Sequence, residues 1–548
     1  MLKSRLCIAF FAFAVGCAPA QKPLTDYVNP MLGTATLWDS VDLGFKPTKR
    51  TWGAEVFPGS SLPNAMVQVS PVTKFHSGAG YQYEDSVIYG FTHTNKGHWN
   101  LCHIPLLPVT GTPTPGDYCS PFSHERESAA PGYYQVFLDR YGVDAQLSST
   151  LRCAFHKYTY PAGAAASLLA DLQRSNEHVR AWDIRKEGDN VFAGWQQTGE
   201  KMYFYAVANR PVTGIEPVVE GDREVRIVRF GEGDGALELR IGFSFVSEKN
   251  ARENLEAEML GKSFAEVRSE ATATWNDLLG RIRVEGGTER EKGLFYSSLY
   301  RSFLWPALRS DVNGEFTDVD GKVINPGFRY YTGPSYWDDY RNKLILLGML
   351  APDVAADVIS SDTDKGEKRG GFMPTFFHGD HASAFVAGTY LRGNRGFDVN
   401  RAYNLVLRNA TVQGPSRPWL DEYIAKGYIS EMDVENPVTW TVCKAAVTKT
   451  LEYSYDDYAV ALLADALGDK ENHDMLMKRT SNYKNLFDPS TGLMRGRLEN
   501  GEWITPFDDQ YPYYEYMYRE ANAWQQAFFA PHDTEAVSYT HLTLPTNR

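Results

Sequence analysis

From about residue 26 to residue 247 apolar and polar positions alternate with the period of two expected of half-buried strands. The pattern is cleanest where Leu237, Leu239, Ile241, Phe243 and Phe245 interleave with Glu238, Arg240, Gly242 and Ser244. Residues 65–69, 87–92, 133–138, 191–195 and 225–230 read as further strands, set apart by Gly, Pro and Asp turns such as Glu187-Gly188-Asp189-Asn190. Many short strands without helices between them predict an antiparallel β-sandwich over residues 22–250 rather than a βαβ sheet. The period then changes. Leu260, Phe264, Val267, Ala271, Trp275 and Leu278 step by three and four, which predicts an amphipathic helix in a helical linker over residues 251–285. The helical rhythm continues through Phe295, Leu299 and Phe303, through Val447, Leu451, Tyr455, Tyr458 and Leu462, and over residues 471–486. It predicts about eight to ten helices paired as hairpins, an α/α arrangement over residues 286–537. No repeat of fixed length is visible, which argues against a regular solenoid.

The first twenty residues stand apart. Lys3 and Arg5 precede an apolar stretch over residues 6–15 and then small residues, the pattern of a secretory signal peptide over residues 1–20. Ala18-Pro19-Ala20 fits small-x-small cleavage, whereas Val15-Gly16-Cys17 fits a lipobox whose Cys17 would be acylated and anchor the chain to a membrane. Either reading predicts export. Later apolar runs fall short of the roughly 20 residues a spanning helix needs. Only Cys102, Cys119, Cys153 and Cys443 remain, too few for a disulfide framework, although one Cys102–Cys119 bridge is compatible with the spacing. A formal charge of −13 over 548 residues, with no basic run, excludes nucleic acid as a partner. Twelve Trp, 32 Tyr and 29 Phe suit stacking on sugar rings, although core packing is the commoner use of any one ring.

Four constellations carry candidate chemistry. His93 and His98, followed by Cys102 and His103, gather nitrogen and sulfur donors, but their spacing fits no zinc pattern, and polar residues lining a loop are the plainer reading. His378-Gly379-Asp380-His381 precedes a helix over residues 382–391. Asp380 reads as its N-cap, and His381 stands where a substrate hydroxyl could be held. Tyr336-Trp337-Asp338-Asp339-Tyr340-Arg341 supplies the parts of a sugar subsite: an indole face, a carboxylate acceptor and a guanidinium fork. The plainer reading has Asp338 capping a helix over a packed Trp337. Glu520, Asn522, Trp524 and Gln525 lie at another loop-to-helix transition, where partial burial would raise the Glu520 carboxyl towards the range of a general acid. A first-turn glutamate serving the helix dipole is the alternative. Phosphate loops, G-x-S-x-G elbows and H-E-x-x-H helices do not occur in the chain.

The chain resembles glycoside hydrolase family 92, exo-acting bacterial α-mannosidases. The resemblance rests on Phe57-Pro58-Gly59-Ser60-Ser61-Leu62-Pro63 with Met66-Val67-Gln68-Val69-Ser70-Pro71, then Gly90-Phe91-Thr92-His93-Thr94, Trp337-Asp338-Asp339-Tyr340-Arg341 and Gly379-Asp380-His381-Ala382. It continues with Lys449-Thr450-Leu451-Glu452-Tyr453-Ser454-Tyr455-Asp456-Asp457-Tyr458, Lys484-Asn485-Leu486-Phe487-Asp488-Pro489-Ser490-Thr491-Gly492 and Glu520-Ala521-Asn522-Ala523-Trp524-Gln525. The resemblance implies a β-sandwich packed on an (α/α)6 barrel and calcium-dependent hydrolysis with inversion at the anomeric carbon. It places Glu520 as general acid and Trp337, Asp338, Arg341, Asp380, His381, Asn522, Trp524 and His93 at the substrate, and it leaves the calcium ligands unassigned. The implied partners are mannose-containing glycans of the N-glycan or yeast mannan type, cut at α-1,2 or α-1,3 linkages. The implied location is the periplasm or the outer-membrane surface of a bacterium.

Two departures from the family pattern carry expectations of their own. An insert over residues 35–55, with Trp38, Asp39, Lys46, Lys49, Arg50 and Trp52, replaces a Gly/His-rich run and predicts a different aglycone preference. The family's base motif lies well beyond the acid, whereas residues 538–548 match nothing expected and read as a non-native tail. The expectation is of a barrel left incomplete and inactive, with the apolar faces around Phe295, Leu299 and Phe303 unpartnered. Asp508, Asp509 and Asp533 are the carboxylates that would serve as base if the chain is active after all. The rival to an enzyme is a non-catalytic surface glycan-binding lipoprotein that needs Trp337 and Asp338 but not Glu520.

Overall fold

The computed structural model describes residues 22–36, 53–95 and 101–536. The signal segment with Cys17, the insert residues from Trp38 to Trp52, His98 and the tail over residues 538–548 lie outside them.

Among the described residues two antiparallel sheets face each other. One runs in the spatial order Ser60–Ser61, Gln68–Val72, Gly90–Thr92, Leu106–Val109, Ser167–Ala170, Arg223–Phe230, Val212–Glu220. The other runs Ala181–Gly188, Val191–Gln197, Lys201–Ala208, Leu237–Ser244, Cys153–Thr159, Val143–Ser149, Tyr133–Leu138, Glu127–Ala130. Alternation sets the register: Phe204 lies opposite Phe243 and Leu147 opposite His156, so that Leu237, Leu239, Ile241 and Phe243 all turn inwards. Strands at 133–138, 191–197, 223–230 and 237–244 fall where the alternation places them. That expected at 65–69 is shifted to Gln68–Val72, and that at 87–92 is split into Val87–Ile88 and Gly90–Thr92.

The linker holds two helices rather than one. Glu248–Glu258 ends before Leu260, which is 41% exposed, and Phe264–Leu279 begins afresh because Ser263 and Glu266 form a reciprocal capping box. Helices Glu289–Ser302, Lys343–Leu350, Pro352–Lys368, Ala382–Leu391, Val399–Thr411, Leu420–Lys426, Ala446–Leu467 and Lys470–Arg479 then build the helical domain. Lys470–Arg479 and a separate 3-10 turn, Asn482–Leu486, replace the single helix expected over 471–486. The long Ala446–Leu467 helix is buried along most of its length and packs on Ala382–Leu391, Val399–Thr411 and Lys470–Arg479, so polar side chains on it meet groups from several others.

The two domains share one apolar core that runs from Val69 and Ile241 in the sandwich to Leu476 in the helices. Polar contacts sew the seam: the Trp275 indole donates to Ser61 O at 2.7 Å, Gln68 Nε2 to Leu304 O at 2.9 Å, and Arg152 pairs with Glu258 at 2.7 Å while donating to Ser310 O. This seam overturns the expectation of bare helix faces. Leu299 and Phe303 are 4% and 1% exposed within the shared core, and only Phe295, at 36%, faces outwards. Their partners come from the sandwich and from neighbouring hairpins, so burying them does not require a closed helical ring.

Candidate active site

Trp337 sits on a single helical turn, Tyr336–Asp339, and its indole N–H donates to Glu452 Oε1 at 2.7 Å. The ring also lies against Phe377, centroid to centroid 5.2 Å. Glu452 projects from Ala446–Leu467 and is 2% exposed, and its second oxygen is buried with no donor. Gly379, at φ +70°, passes so close that a Cβ there would meet Glu452 Oε2 at 3.0 Å and His381 Nε2 at 2.7 Å, which leaves glycine as the residue that fits.

His381 stacks on Tyr340 with centroids 3.8 Å apart, its Nδ1 2.9 Å from Asp456 Oδ1 and its Nε2 3.8 Å from Glu452 Oε1. Burial alone would lower its pKa. The Asp456 carboxylate, and more weakly Glu452, outweigh burial and hold the imidazolium up to about 9. Behind it lies a charge network without solvent. Asp380 accepts from Arg417 Nε at 3.1 Å, Asn409 Nδ2 at 2.9 Å and Ser383 Oγ at 2.8 Å. Arg417 Nη1 reaches Asp457 at 2.6 Å, and Asp457 also pairs with Arg479 at 3.0 Å. Asp380 is therefore not the cap of Ala382–Leu391. That place falls to His381, whose side chain makes no cap bond, because the Asp380 carboxylate is spent on Arg417 inside the core. Buried behind His381, Asp380 supports the site and does not present its carboxylate to a ligand.

Phe377 joins this group to a second one. The Arg519 guanidinium lies 3.7 Å over the Phe377 ring and 4.3 Å over Tyr514, pairs with Glu515, and its backbone N–H donates to Thr448 Oγ1 at 2.8 Å. His378 Nε2 is 3.6 Å from Glu515. Burial, then Lys449, Arg519 and His381, push His378 down to about 2, so it stays neutral. Burial also lowers Lys449 to about 8 against the pull of Glu452 and Glu431. Glu520 follows Arg519 directly. The partial burial expected of it is not found: it is exposed, its backbone N–H donating to Tyr514 O at 3.0 Å. Phe377, Met517 and Glu520 all hold left-handed backbone (φ +69°, +56° and +47°), a conformation that costs a non-glycine residue about 1–3 kcal/mol and clusters at functional sites.

The other sequence candidates divide. Asp338 is exposed on the same turn and Arg341 is exposed just after it, the guanidinium 4.9 Å over Tyr340 and 5.7 Å over Phe529. Asn522 and Gln525 exchange side-chain and backbone bonds as the capping box of Ala523–Gln526, so an oxygen of each is already engaged, and Trp524 stands 57% exposed beside them. His93 does not join the group. It is fully buried in the sandwich, its Nε2 3.0 Å from His156 Nε2 and its ring 4.5 Å from Phe243, and burial drives its pKa to about 3. It directly follows the strand Gly90–Thr92 and is enclosed in the sandwich core, away from the group around His381. Cys102 and Cys119 are free thiols rather than a bridge, and among the described residues no three His, Cys, Asp or Glu side chains converge as metal donors. Of the carboxylates considered as base, Asp533 is taken by Tyr483 at 2.8 Å and Lys484 at 3.2 Å.

Glu452 and Asp456 fall within the stretches that carry the family resemblance but have no role in it. Their signal lies in the spacing: Lys449, Glu452 and Asp456 recur at three and four along the helix that also carries Val447 and Leu451, and charges on a helix buried along most of its length must be paired. Phe377, Arg519 and Arg417 had no such local mark. A cavity of about 910 Å³ between sandwich and helices, lined by Tyr203, Phe245, Tyr330, Tyr336, Asp362 and Phe376 among others, adjoins Trp337 and Phe377 along the chain.

The sandwich shares its core with helical hairpins and carries indole, guanidinium and carboxylate groups beside a strained glutamate, the residue types that glycoside hydrolases use. Residues 27–253 match the glycosyl hydrolase family 92 N-terminal domain, and residues 250–540 match the family 92 catalytic domain. The chain belongs to glycosyl hydrolase family 92. It is similar to a family GH92 α-mannosidase from Bacteroides thetaiotaomicron, also solved in complex with mannoimidazole, at 26% identity and TM-score 0.85 over 95% of this chain and 73% of that one. A second structure from that organism, a family GH92 inverting mannosidase, shares the fold at 24% identity and TM-score 0.83, over 95% and 73%. An uncharacterized secreted glycosidase from Arthroderma benhamiae is 24% identical over 92% of this chain and 70% of its own length.

Proposed function

We propose that the protein is an exo-acting α-mannosidase that removes terminal α-1,2- or α-1,3-linked mannose from glycans of the N-glycan or yeast mannan type, with inversion. The observation that carries the reading is the meeting of Trp337 and the Glu520 segment across Phe377 and Arg519. It supports a reading in which a ring-stacking indole and the carboxylic acid of Glu520 serve one sugar. Trp337 holds the apolar face of the sugar, Asp338 accepts from its hydroxyls and Arg341 donates to them. Glu520 gives its proton to the leaving oxygen, and inversion sets the second carboxyl roughly 6.5 to 9.5 Å away, with room for water between them. The family relative bound to mannoimidazole supports mannose as the sugar, and the relative named as secreted supports export.

Calcium dependence rests on family membership. Calcium takes six to eight oxygens. Here Asn522 and Gln525 each spend an oxygen on the helix cap, while Gln526 Oε1 and Glu452 Oε2 are buried oxygens without donors. These oxygens do not make a cage for the ion. The deciding assay is mannose release from α-mannobiosides. Glu520→Gln should lower kcat on the disaccharide about 10²- to 10⁴-fold and spare an activated aryl mannoside far more. Equal losses on both substrates, or none, would remove Glu520 as the acid.

A further inference from the structure

The sandwich carries a cavity of about 980 Å³ whose lining residues all fall between Lys74 and Arg223, outside the segments that build the candidate active site. Its wall is basic in a chain of net charge −13: Lys74, Arg174, Arg180 and Arg223 against the single carboxylate of Glu177. That carboxylate is engaged by Thr198 and lies 3.9 Å from His103.

Two of the arginines are fixed from behind. Asp171, with a fully buried side chain, accepts from Arg223 Nη2 at 2.7 Å and from the Tyr118 hydroxyl at 2.6 Å, and lies 3.9 Å from Arg174 Nε. Arg223 also donates to Pro115 O at 2.7 Å. The Arg174 guanidinium lies 5.4 Å over Phe75 and 5.3 Å over Tyr89, which sets its plane. One carboxylate thus orients two guanidiniums that remain about one-third exposed towards the cavity. Lys74 and Arg180, exposed on the rim, make no side-chain bond or ion pair with any described residue. Trp182 and Phe75 add half-buried ring faces to the lining. His76, at the rim, holds φ +61° with its backbone N–H bound to Asn176 Oδ1, a strained backbone of the kind that ligand sites retain.

We propose that this cavity is a second carbohydrate site, one that takes a sugar bearing a phosphate or sulfate ester. The arginine forks match the oxyanion in geometry and charge, and the exposed parts of the Phe75 and Trp182 rings, which also carry Arg174 and Arg226, pack against the sugar. Because the guanidiniums are already held, little ordering is left for the ligand to impose. A neutral sugar would leave the cations unanswered, and a bare anion would leave the rings uncovered.

Calorimetric titration of the full chain with mannose 6-phosphate, mannose 6-sulfate, mannose and inorganic phosphate tests this. The esters should bind at least about tenfold more tightly than either mannose or phosphate, with affinity falling as salt rises. The Lys74→Gln/Arg180→Gln double variant, which leaves the Asp171 cluster intact, should weaken ester binding about tenfold or more and flatten its salt dependence. Trp182→Ala should weaken the esters and leave phosphate alone. Esters binding no tighter than phosphate, or unchanged in the double variant, would overturn the proposal. So would ester binding abolished by Trp337→Ala, which would put the ligand in the other site.

Discussion

The bond from the Trp337 indole to Glu452 Oε1 offers a quantitative test of how the candidate site is held. Trp337→Phe keeps a ring against Phe377 but deletes a donor 2.7 Å from a carboxylate that is 2% exposed and already has one oxygen without a partner. A hydrogen bond to a charged group is worth about 1.5–3 kcal/mol, and here no solvent stands ready to replace it. The variant should therefore lose about 1.5–3 kcal/mol of unfolding free energy in denaturant titrations, and mannoside turnover should fall with it as Glu452 and the indole plane drift. Glu452→Gln supplies the control. Its amide oxygen still accepts from the indole, but as a neutral pair worth about 0.5–1.5 kcal/mol, so Trp337→Phe should cost about 1 kcal/mol less in that background. Strict additivity of the two substitutions, in stability and in kcat/KM alike, would show that the indole and the carboxylate do not act together and would refute this account.

Three further predictions address the surrounding charges. The folded-state pKa of His381, about 9, lies above the ordinary histidine value, so its ion pair with Asp456 stabilises fully below about pH 6.5 and is lost as pH rises through 9. Thermal unfolding between pH 6 and 10 should show this decline in the wild type and a flatter profile in Asp456→Asn; identical profiles would be against it. Arg417→Leu leaves the Asp380 carboxylate buried without its cation, while Asp457 keeps Arg479, and should destabilise by about 3–5 kcal/mol in chemical denaturation. A loss below 1 kcal/mol would mean that Asp380 has simply taken up a proton. Chelation should abolish mannoside hydrolysis reversibly, with calcium and not magnesium restoring it; activity indifferent to chelator would end the calcium reading.

Local periodicity determined much of this protein before any fold was drawn. The alternation through Leu237–Ser244 and the stripe through Phe264, Val267, Ala271 and Trp275 follow from the geometry of one strand and one helix, and both elements lie where those patterns put them. Trp337, His381 and the Glu520 segment were legible for the same reason: short runs of aromatic and charged residues at loop-to-helix transitions carry their chemistry within a few positions. What the tertiary structure alone decided is which distant charges meet. Arg417 finds Asp380 and Asp457, 37 and 40 residues away, because two loops fold against the Ala446–Leu467 helix, and nothing in the neighbourhood of Arg417 marks it as buried. His93 is the converse case: its polar neighbourhood reads as loop, the family resemblance sets it at the substrate, and the two sheets enclose it. The basic cavity of the sandwich is assembled from segments near residues 74–89, 173–182 and 223, each unremarkable alone. A side chain's burial and partners are long-range properties, set by how sheets and helices stack, whereas strand and helix are written in the spacing of neighbouring residues.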